Sequence, residues 1–286
     1  MTSVPVAKIM TKDVVTLSIP GSRQDLLEAI SKYNKSVFPV VKAGTKELVG
    51  MVGRADLLSK ASETQLSLLM NENVPTVSSS DDIQEAANLL GKKENHRVAV
   101  VDDGELVGII SVADIVRKLM VSFKEPLEVK SLYRDGIATV WEGTPLDIAG
   151  CILSLSGQQA LPVLGERGSL IGIVAAFDLM KVAEIVDSES LTSLGAGAEH
   201  EPGSWDSASV FVIASKNLVF PGDRTVAEIM TRNVETVYID SSLRDVARKF
   251  KARDIDQCPV VDAKENLLGM ITDRDLLRSY VEVYKK

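Results

Sequence analysis

The chain has 286 residues, of which 32 are basic and 40 are acidic, so its formal net charge is −8 at neutral pH. This length predicts about two domains, each able to bury an apolar core. The acidic balance argues against DNA as a partner, because phosphates attract basic surfaces. The sequence has neither an apolar run near the ~20 residues that span a membrane nor a signal-peptide pattern, so we expect a cytoplasmic protein without membrane contact.

Residues typical of catalysis are sparse. Cys151 and Cys258 are the only cysteines, and their wide spacing predicts neither a disulfide framework nor a zinc site. Both lie in apolar runs, where we expect buried thiols. The sequence contains no Walker-type loop and no Gly-x-Ser-x-Gly motif. Since His96 and His200 are the only histidines, acid–base chemistry has few candidates, and the sequence favours a non-enzymatic protein.

One pattern recurs four times in the same register. Met10, Met70 and Met230 open three copies, and Tyr133 takes the methionine position in the third copy along the chain. An apolar tripeptide of the Pro-Val-Val type begins 29 residues after each opening residue. A threonine lies six residues after each opening residue: Thr16, Thr76, Thr139 and Thr236. Four matches in one register indicate internal repeats.

Each copy has the same predicted order of elements. A short strand ends at the threonine, a capped helix follows, two strands joined by a turn come next, and a second helix begins at an aspartate. The first helices have Ser, Thr, Asp or Pro at their predicted starts, which are 22–25, 79–82, 144–145 and 240–242. We place Pro145 at the first helical position. The second helices are predicted to start at Asp56, Asp114, Asp178 and Asp275.

A β-α-β-β-α unit of about 55 to 60 residues is marginal alone, and pairing two such sheets face to face solves this. We therefore predict an α/β fold of the α+β type, with four repeats in two pseudo-twofold pairs. The pairs are 1–124, with repeats at about 4–60 and 64–121, and 125–286, with repeats at about 127–186 and 223–284. The insertion 187–222 contains glycine and proline loops, an added strand over 210–213, and Trp205, which we expect to be a packing anchor.

The repeats end in the pattern Gly-h-h-[Ser/Thr]-x-x-Asp, where h is apolar. It is complete at Ser111 with Asp114 and at Thr272 with Asp275. A hydroxyl, the positive N-terminal end of a helix and a carboxylate suit a phosphate and a vicinal diol, the two features of a ribonucleotide. Thr76 and Thr236 are expected at the opposite edge of the same sheets. The alternative is that hydroxyl and carboxylate only cap the helix.

The other two copies retain only part of the pattern. Asp56 and Asp178 are present, but Gly53 and Ala175 replace the hydroxyl. Capping explains why every copy has the aspartate, but it does not explain why only two have the hydroxyl. His96 and Arg97, just before the second strand, either contact a phosphate or lie in solvent. The same two possibilities hold for Arg54 and Arg274.

These motifs resemble the cystathionine-beta-synthase (CBS) domain family. The resemblance rests on Met-Thr at 10 and 230, Pro-Val-Val at 39 and 259, and the full motif at 108–114 and 269–275, and it covers nearly the whole chain except about 187–224. It implies pairs of repeats, often called Bateman modules, whose clefts frequently bind adenosine nucleotides. The contacts that it implies are Asn95, His96, Arg97, Val98, Ser111, Asp114, Asp256, Gln257, Cys258, Thr272 and Asp275. Position in the repeat adds Thr76, Thr236 and Arg274, with Thr16, Asp56, Thr139 and Asp178 as weaker candidates.

The second repeat is similar to a repeat of the gamma subunit of AMP-activated protein kinase, in which a His-Arg pair meets adenylate phosphates. This implies AMP, ADP or ATP as a bound ligand and not as a catalytic cofactor. The expected function is that of an energy-state sensor, which acts on an unknown regulated protein through ligand-linked conformational or assembly change, with a possible homodimer. One alternative is a structural or oligomerisation module with empty clefts. Another is a nucleotide-hydrolysing enzyme that uses 187–224.

Overall fold

A computed structural model describes residues 4–33, 35–60, 63–92, 95, 97–182, 184–193 and 210–284. Each repeat forms a three-stranded sheet in which the first strand runs parallel to the second and the second runs antiparallel to the third. Helices flank every sheet, so the predicted mixed α/β class is confirmed. Within the described residues, no helix combines the length and apolar character needed to cross a membrane.

The elements follow the same order in all repeats. The first repeat has β1 (Leu17–Ile19), α1 (Arg23–Tyr33), β2 (Val37–Lys42), β3 (Leu48–Gly53) and α2 (Arg54–Ser59). The second has α3 (Leu66–Leu69), β4 (Thr76–Val77), α4 (Ile83–Leu90), β5 (Arg97–Asp102), β6 (Glu105–Ser111) and α5 (Val112–Lys118). The third has β7 (Val140–Trp141), α6 (Leu146–Ser156), β8 (Ala160–Leu164), β9 (Leu170–Ala175) and α7 (Ala176–Val182). After β10 (Glu184–Ser193) and β11 (Val210–Val219), the fourth has α8 (Val226–Ile229), β12 (Val237–Tyr238), α9 (Leu243–Arg253), β13 (Gln257–Val261), β14 (Leu267–Thr272) and α10 (Asp273–Tyr284).

Helix α9 illustrates how the sequence specifies a helix. Its buried residues Leu243, Val246 and Phe250 recur at helical spacing and form one apolar face. The Oγ of Ser242 accepts a hydrogen bond from the backbone N–H of Asp245 and caps the N-terminus. The helix ends at Asp254, whose φ of 54° is left-handed.

Three predicted boundaries are wrong by one or two residues. The first strand of each repeat begins at the threonine or just after it, as Leu17 and Thr76 show, because ladder pairing to the second strand starts there. Pro145 is extended, with ψ of 147°, and caps α6 from outside the helix. The second helices begin two residues before the aspartate, so Asp114 lies in the first turn of α5 and accepts a capping hydrogen bond.

The chain divides into two compact units, Met1–Gly136 with Glu235–Lys286, and Ile137–Val234. In the first unit, one apolar core contains buried residues of both the second and the fourth repeat, including Ile115 on α5 and Phe250 on α9. A smaller cluster of Val41, Met51 and Ala99 joins the sheets of the first and second repeats. The division of the chain into pairs 1–124 and 125–286 stays a prediction.

The second unit has its own core and carries the insertion. Leu146, Leu161 and Val174 lie in that core. The predicted added strand is confirmed as part of β11, which pairs antiparallel with β10. The sequence analysis missed β10, because its polar residues lack a strand pattern. Residues 194–209, with the predicted loops at 195–197 and 202–204, Trp205 and His200, lie outside the described residues.

The two cysteines differ in environment. Cys258 is buried as predicted, and burial raises the pKa of its thiol to about 12. The prediction for Cys151 is wrong, because its position on α6 faces away from the core and its side chain is exposed.

Candidate functional site

The segment that opens each repeat adds to the sheet of another repeat. Isolated antiparallel bridges join Thr11 to Ile109, Asn71 to Met51, Arg134 to Met270 and Thr231 to Ile173. Each bridge has two backbone hydrogen bonds of 2.8 to 3.0 Å. The bridged strand residue always lies five positions before the motif aspartate. The residue after each opening Met or Tyr is therefore placed near an aspartate that its own repeat does not supply.

The glycine of the motif leaves room for the segment that opens the other repeat, because it has no side chain. A Cβ on Gly108 would lie 2.8 Å from the Sδ of Met10 and 2.9 Å from the carbonyl oxygen of Thr11. Met70 and Met230 crowd Gly50 and Gly172 in the same way. The glycine and the opening methionine are thus two sides of one contact, which explains their shared register.

Asp114 has a capping role and an inter-repeat role. Its Oδ2 accepts hydrogen bonds from the backbone N–H of Ser111 at 2.9 Å and from the Ser111 Oγ at 2.6 Å. Its Oδ1 accepts from the Thr11 hydroxyl at 3.2 Å and from the Lys118 ammonium at 2.8 Å. Capping is therefore real, but it occupies only one carboxylate oxygen. The other oxygen connects the second repeat to the first through Thr11.

Arg97 lies directly opposite Ser111 in the β5–β6 ladder. Its guanidinium donates two hydrogen bonds of 3.2 Å to the Oγ of Ser36, at the start of β2. Burial lowers the pKa of Arg97 from its ordinary value, and the Asp114 carboxylate opposes that shift. The structure thus brings Arg97, Ser111 and Asp114 together as predicted from the sequence, whereas His96 lies outside the described residues.

A cavity of about 640 Å³ is lined by residues of the first and second repeats, and Arg97, Ser111 and Asp114 are not among its lining residues. One wall is the segment 12–16, which begins directly after Thr11, and the other includes Leu106 and Gly108 of β6. Lys12 and Lys46 bring positive charge to the lining. Such a volume is within the range of small-molecule sites, about 300 to 1,000 Å³. Of the predicted threonines, Thr16 lines the cavity, whereas Thr76 lies exposed at the start of β4.

Asp275 in the fourth repeat is already saturated. Its Oδ2 accepts from the Thr272 N–H at 3.0 Å and the Thr272 Oγ1 at 2.6 Å. Its Oδ1 accepts from Nε and one terminal nitrogen of Arg134 at 3.2 and 3.1 Å, and from Arg278 at 3.0 Å. Gln257 pairs with Thr272 as Arg97 pairs with Ser111. Gln257, Thr272 and Asp275 are brought together here, but both oxygens of Asp275 already accept hydrogen bonds from the protein.

The aspartates of the first and third repeats cap without a hydroxyl. Asp56 accepts from the Gly53 N–H at 2.8 Å, and Asp178 accepts from the Ala175 N–H at 3.1 Å. Asp178 also pairs with Lys181 at 3.0 Å. Thr139 lies half-buried next to β7. Capping therefore accounts for the aspartate in all four repeats.

Two predicted contact side chains are corrected by the structure. Val98 and Cys258 have exposed fractions of 0% and 1% and pack in the shared core of the first unit. Successive residues of a strand face opposite sides of its sheet, so these residues point away from Arg97 and Gln257. Their side chains are not available to a ligand.

Other predicted residues have structural hydrogen bonds. The Asn95 side chain donates to the Leu89 carbonyl at 2.8 Å, and the backbone carbonyl of Asn95 accepts from Arg274 at 2.9 Å. The Thr236 carbonyl accepts from Lys249 at 2.6 Å. Arg274 therefore ties the fourth repeat to the second.

Asp273, next to Arg274, is expected to make the stability of the folded protein depend on pH. Burial and the Asp256 carboxylate raise the pKa of Asp273 to about 7, against 3.8 ordinarily, while Arg274 and Arg117 oppose this shift. The folded protein then holds this proton more tightly than the unfolded chain. The stability that the proton contributes is complete below about pH 4 and is lost as the pH rises through about 7.

We therefore expect Asp273→Asn to raise the melting temperature at pH 8 and to change it much less at pH 4. Differential scanning calorimetry of both proteins at both pH values measures this. Equal shifts at the two pH values would contradict it.

The sequence analysis missed Thr11, Ser36, Lys118 and Arg134. The Met-Thr register was a usable signal for Thr11, because it marked position 11 as a repeat opening. It did not show that this segment forms hydrogen bonds with the sheet of a different repeat. Ser36 and Lys118 have no motif and are identified only by their contacts.

Four equivalent sheets, each completed by a segment from elsewhere in the chain, define a tandem-repeat protein with clefts between repeats. The chain belongs to the CBS domain family, whose sequence profile matches residues 6–63, 66–121, 129–184 and 226–282. This confirms the four repeats and the resemblance inferred from the motifs.

Solved structures of similar proteins extend over the whole chain. An uncharacterized conserved protein from Pyrococcus horikoshii is 30% identical with a TM-score of 0.66, and the match covers 96% of this chain and 99% of that one. Protein MJ1225 from Methanocaldococcus jannaschii, described as a candidate archaeal homologue of g-AMPK, has a TM-score of 0.70 at 22% identity, covering 97% and 100%. This second likeness shows the fold alone.

Sequence relatives agree with this picture. MJ1225 is 24% identical over 94% of this chain and 96% of its own length. Uncharacterized protein MJ1404 of the same organism is 27% identical over 76% of this chain, and the match spans only 44% of MJ1404.

Proposed function

We propose that the protein is a non-enzymatic regulatory protein that binds an adenosine nucleotide, AMP, ADP or ATP, at the second repeat. The observation that carries this proposal is the Asp114 carboxylate, which accepts hydrogen bonds from Ser111 of its own repeat and from Thr11 of the first repeat. The resemblance of the second repeat to a repeat of the gamma subunit of AMP-activated protein kinase supports the same class of ligand.

The Asp114 carboxylate is suited to a ribose. Its Oδ1 exchanges the Thr11 hydroxyl for a ribose hydroxyl of the same chemistry, and its Oδ2 keeps the helix cap. Hydrogen bonds to a charged acceptor contribute about 1.5 to 3 kcal/mol each. Arg97, opposite Ser111 in the β5–β6 ladder, supplies positive charge for a phosphate, and Lys12 and Lys46 line the cavity together with the acidic Asp13.

The regulatory mechanism is linkage. A ligand in the cavity touches the segment 12–16 of the first repeat and β6 of the second, so it stabilises the arrangement in which these two elements are in contact. A regulated protein, or a second copy of the chain in a homodimer, that prefers this arrangement then senses the nucleotide. This is how the protein reports the energy state of the cell.

A structural assembly module is the second candidate. It is favoured by Asp275, whose oxygens are filled by side chains of the protein itself. In that case, every cleft is closed by such contacts and the repeats serve only to associate.

Isothermal titration calorimetry with AMP, ADP and ATP separates the two candidates. We expect binding heat from at least one of them and none from GMP under the same conditions. We also expect a higher melting temperature with ligand, because a ligand at 100 times its Kd stabilises the folded state by about 2.7 kcal/mol. Neither heat nor a thermal shift with any of the three adenosine nucleotides would contradict the proposal.

A further inference from the structure

The second and fourth repeats carry the same complete motif but differ in the residue that faces the aspartate. The bridge from Thr11 to Ile109 places a hydroxyl on Asp114, and the equivalent bridge from Arg134 to Met270 places a guanidinium on Asp275. Thr231 occupies the same position in its own bridge, to Ile173. Of the four residues that form these bridges, Thr11, Asn71, Arg134 and Thr231, Arg134 is the one that carries a positive charge.

This difference changes the capacity of the carboxylate. Asp275 accepts five hydrogen bonds, from the N–H and hydroxyl of Thr272, from two nitrogens of Arg134 and from Arg278. A carboxylate offers about four lone-pair directions. The side chain of Asp275 is only 1% exposed, against 14% for Asp114. Since Asp114 also accepts four hydrogen bonds, a ribose diol has to displace a protein donor at either aspartate: the Thr11 hydroxyl at Asp114, or the Arg134 guanidinium at Asp275.

The backbone of Arg134 is held by the strand that it bridges, while its side chain is 55% exposed. Its backbone N–H and carbonyl bond to Met270 at 2.8 and 2.9 Å, which fixes the start of the side chain over the motif. A Cβ on Gly269 would lie only 2.0 Å from the carbonyl oxygen of Arg134. The strand β14 and the segment that contains Arg134 are therefore in close contact. The guanidinium therefore reaches Asp275 from a fixed backbone.

We propose that Arg134 is a specificity-determining residue that closes the fourth repeat to ribonucleotides, so that the second repeat binds and the fourth does not. This rests on the proposed function, because it concerns the same ligand and the same motif. The fourth motif keeps its hydroxyl and carboxylate, and a single substitution at position 134 opens it.

The test compares Arg134→Thr, which installs the residue found at position 11, with the wild-type chain. Calorimetry or equilibrium dialysis with AMP, ADP and ATP gives the number of nucleotides bound per chain. We expect Arg134→Thr to bind one more than wild type, and Arg134→Thr with Asp275→Asn to return to the wild-type number. Arg134→Lys is the matched control, because a lysine retains the charge near Asp275 and is expected to leave the number unchanged.

The outcomes distinguish this inference from the proposed function. If wild type binds a nucleotide at Asp114 and Arg134→Thr binds no more, with both proteins folded by circular dichroism, the inference is overturned. Loss of a bound nucleotide on Asp275→Asn in the wild-type background also overturns it. If wild type binds nothing and Arg134→Thr binds one, the proposed function fails at the second repeat while the role of Arg134 stands.

Discussion

Asp114→Asn is expected to weaken nucleotide binding by about 10- to 100-fold with little change in stability. The substitution removes the charge from the oxygen that accepts from Thr11 and Lys118, and a hydrogen bond to a charged group is worth about 1.5 to 3 kcal/mol. An asparagine oxygen can still accept from the Ser111 N–H, so the cap of α5 is retained. Calorimetry with the preferred nucleotide measures the change in Kd.

Asp25→Asn is the matched control for this experiment. Asp25 accepts from the Ser22 N–H at 2.7 Å and the Ser22 Oγ at 2.9 Å, which is the same Ser-x-x-Asp cap at the start of α1. Both substitutions remove a carboxylate charge from a first helical turn, where the helix dipole favours a negative charge. We expect equal small losses in melting temperature and lost affinity only for Asp114→Asn. Equal affinity of the two variants would show that Asp114 is only a cap.

Phe250→Ala is expected to destabilise the first unit by about 3 to 5 kcal/mol, the usual cost of removing a buried aromatic side chain. Phe250 is fully buried in the core that α5 of the second repeat and α9 of the fourth share. The cavity therefore weakens two repeats together. Since a domain is stable by only about 5 to 15 kcal/mol, this is a large fraction of the total.

Chemical denaturation measures this loss, and Tyr238→Ala is its control. Tyr238 is an aromatic residue in the same repeat with 51% of its surface exposed. We expect its loss to cost less than about 1 kcal/mol, as for most surface substitutions. Similar costs for the two substitutions would contradict a shared core centred on α9.

The motif pattern and the structure agree where the physics is local. The Ser-x-x-Asp spacing predicts a capped helix start, and Ser111 with Asp114 forms one. Successive residues of a strand face opposite sides, so Val98 is buried in the core while Arg97 is not. This difference follows from a pattern that the sequence contains. The sequence analysis assigned both residues to the site because it used the resemblance and not the alternation.

The contact between Asp275 and Arg134 was not predictable from a local pattern. The motif of Asp275 is as complete as that of Asp114, and the sequence ranks the fourth repeat below the second only because His96 and Arg97 accompany the second motif. The residue that fills Asp275 is 141 positions away, and no periodicity relates them. The same holds for Thr11 and Asp114, which are 103 positions apart.

The sequence by itself determined the four repeats, the order of their elements and the aspartate common to all of them. These properties depend on hydrophobic period, turn residues and helix caps, which act over a few residues and repeat with the chain. Only the tertiary structure decided which aspartate meets a hydroxyl and which meets a guanidinium. That choice depends on opening segments that cross to another repeat, and contacts over more than a hundred residues are set by packing, not by local pattern.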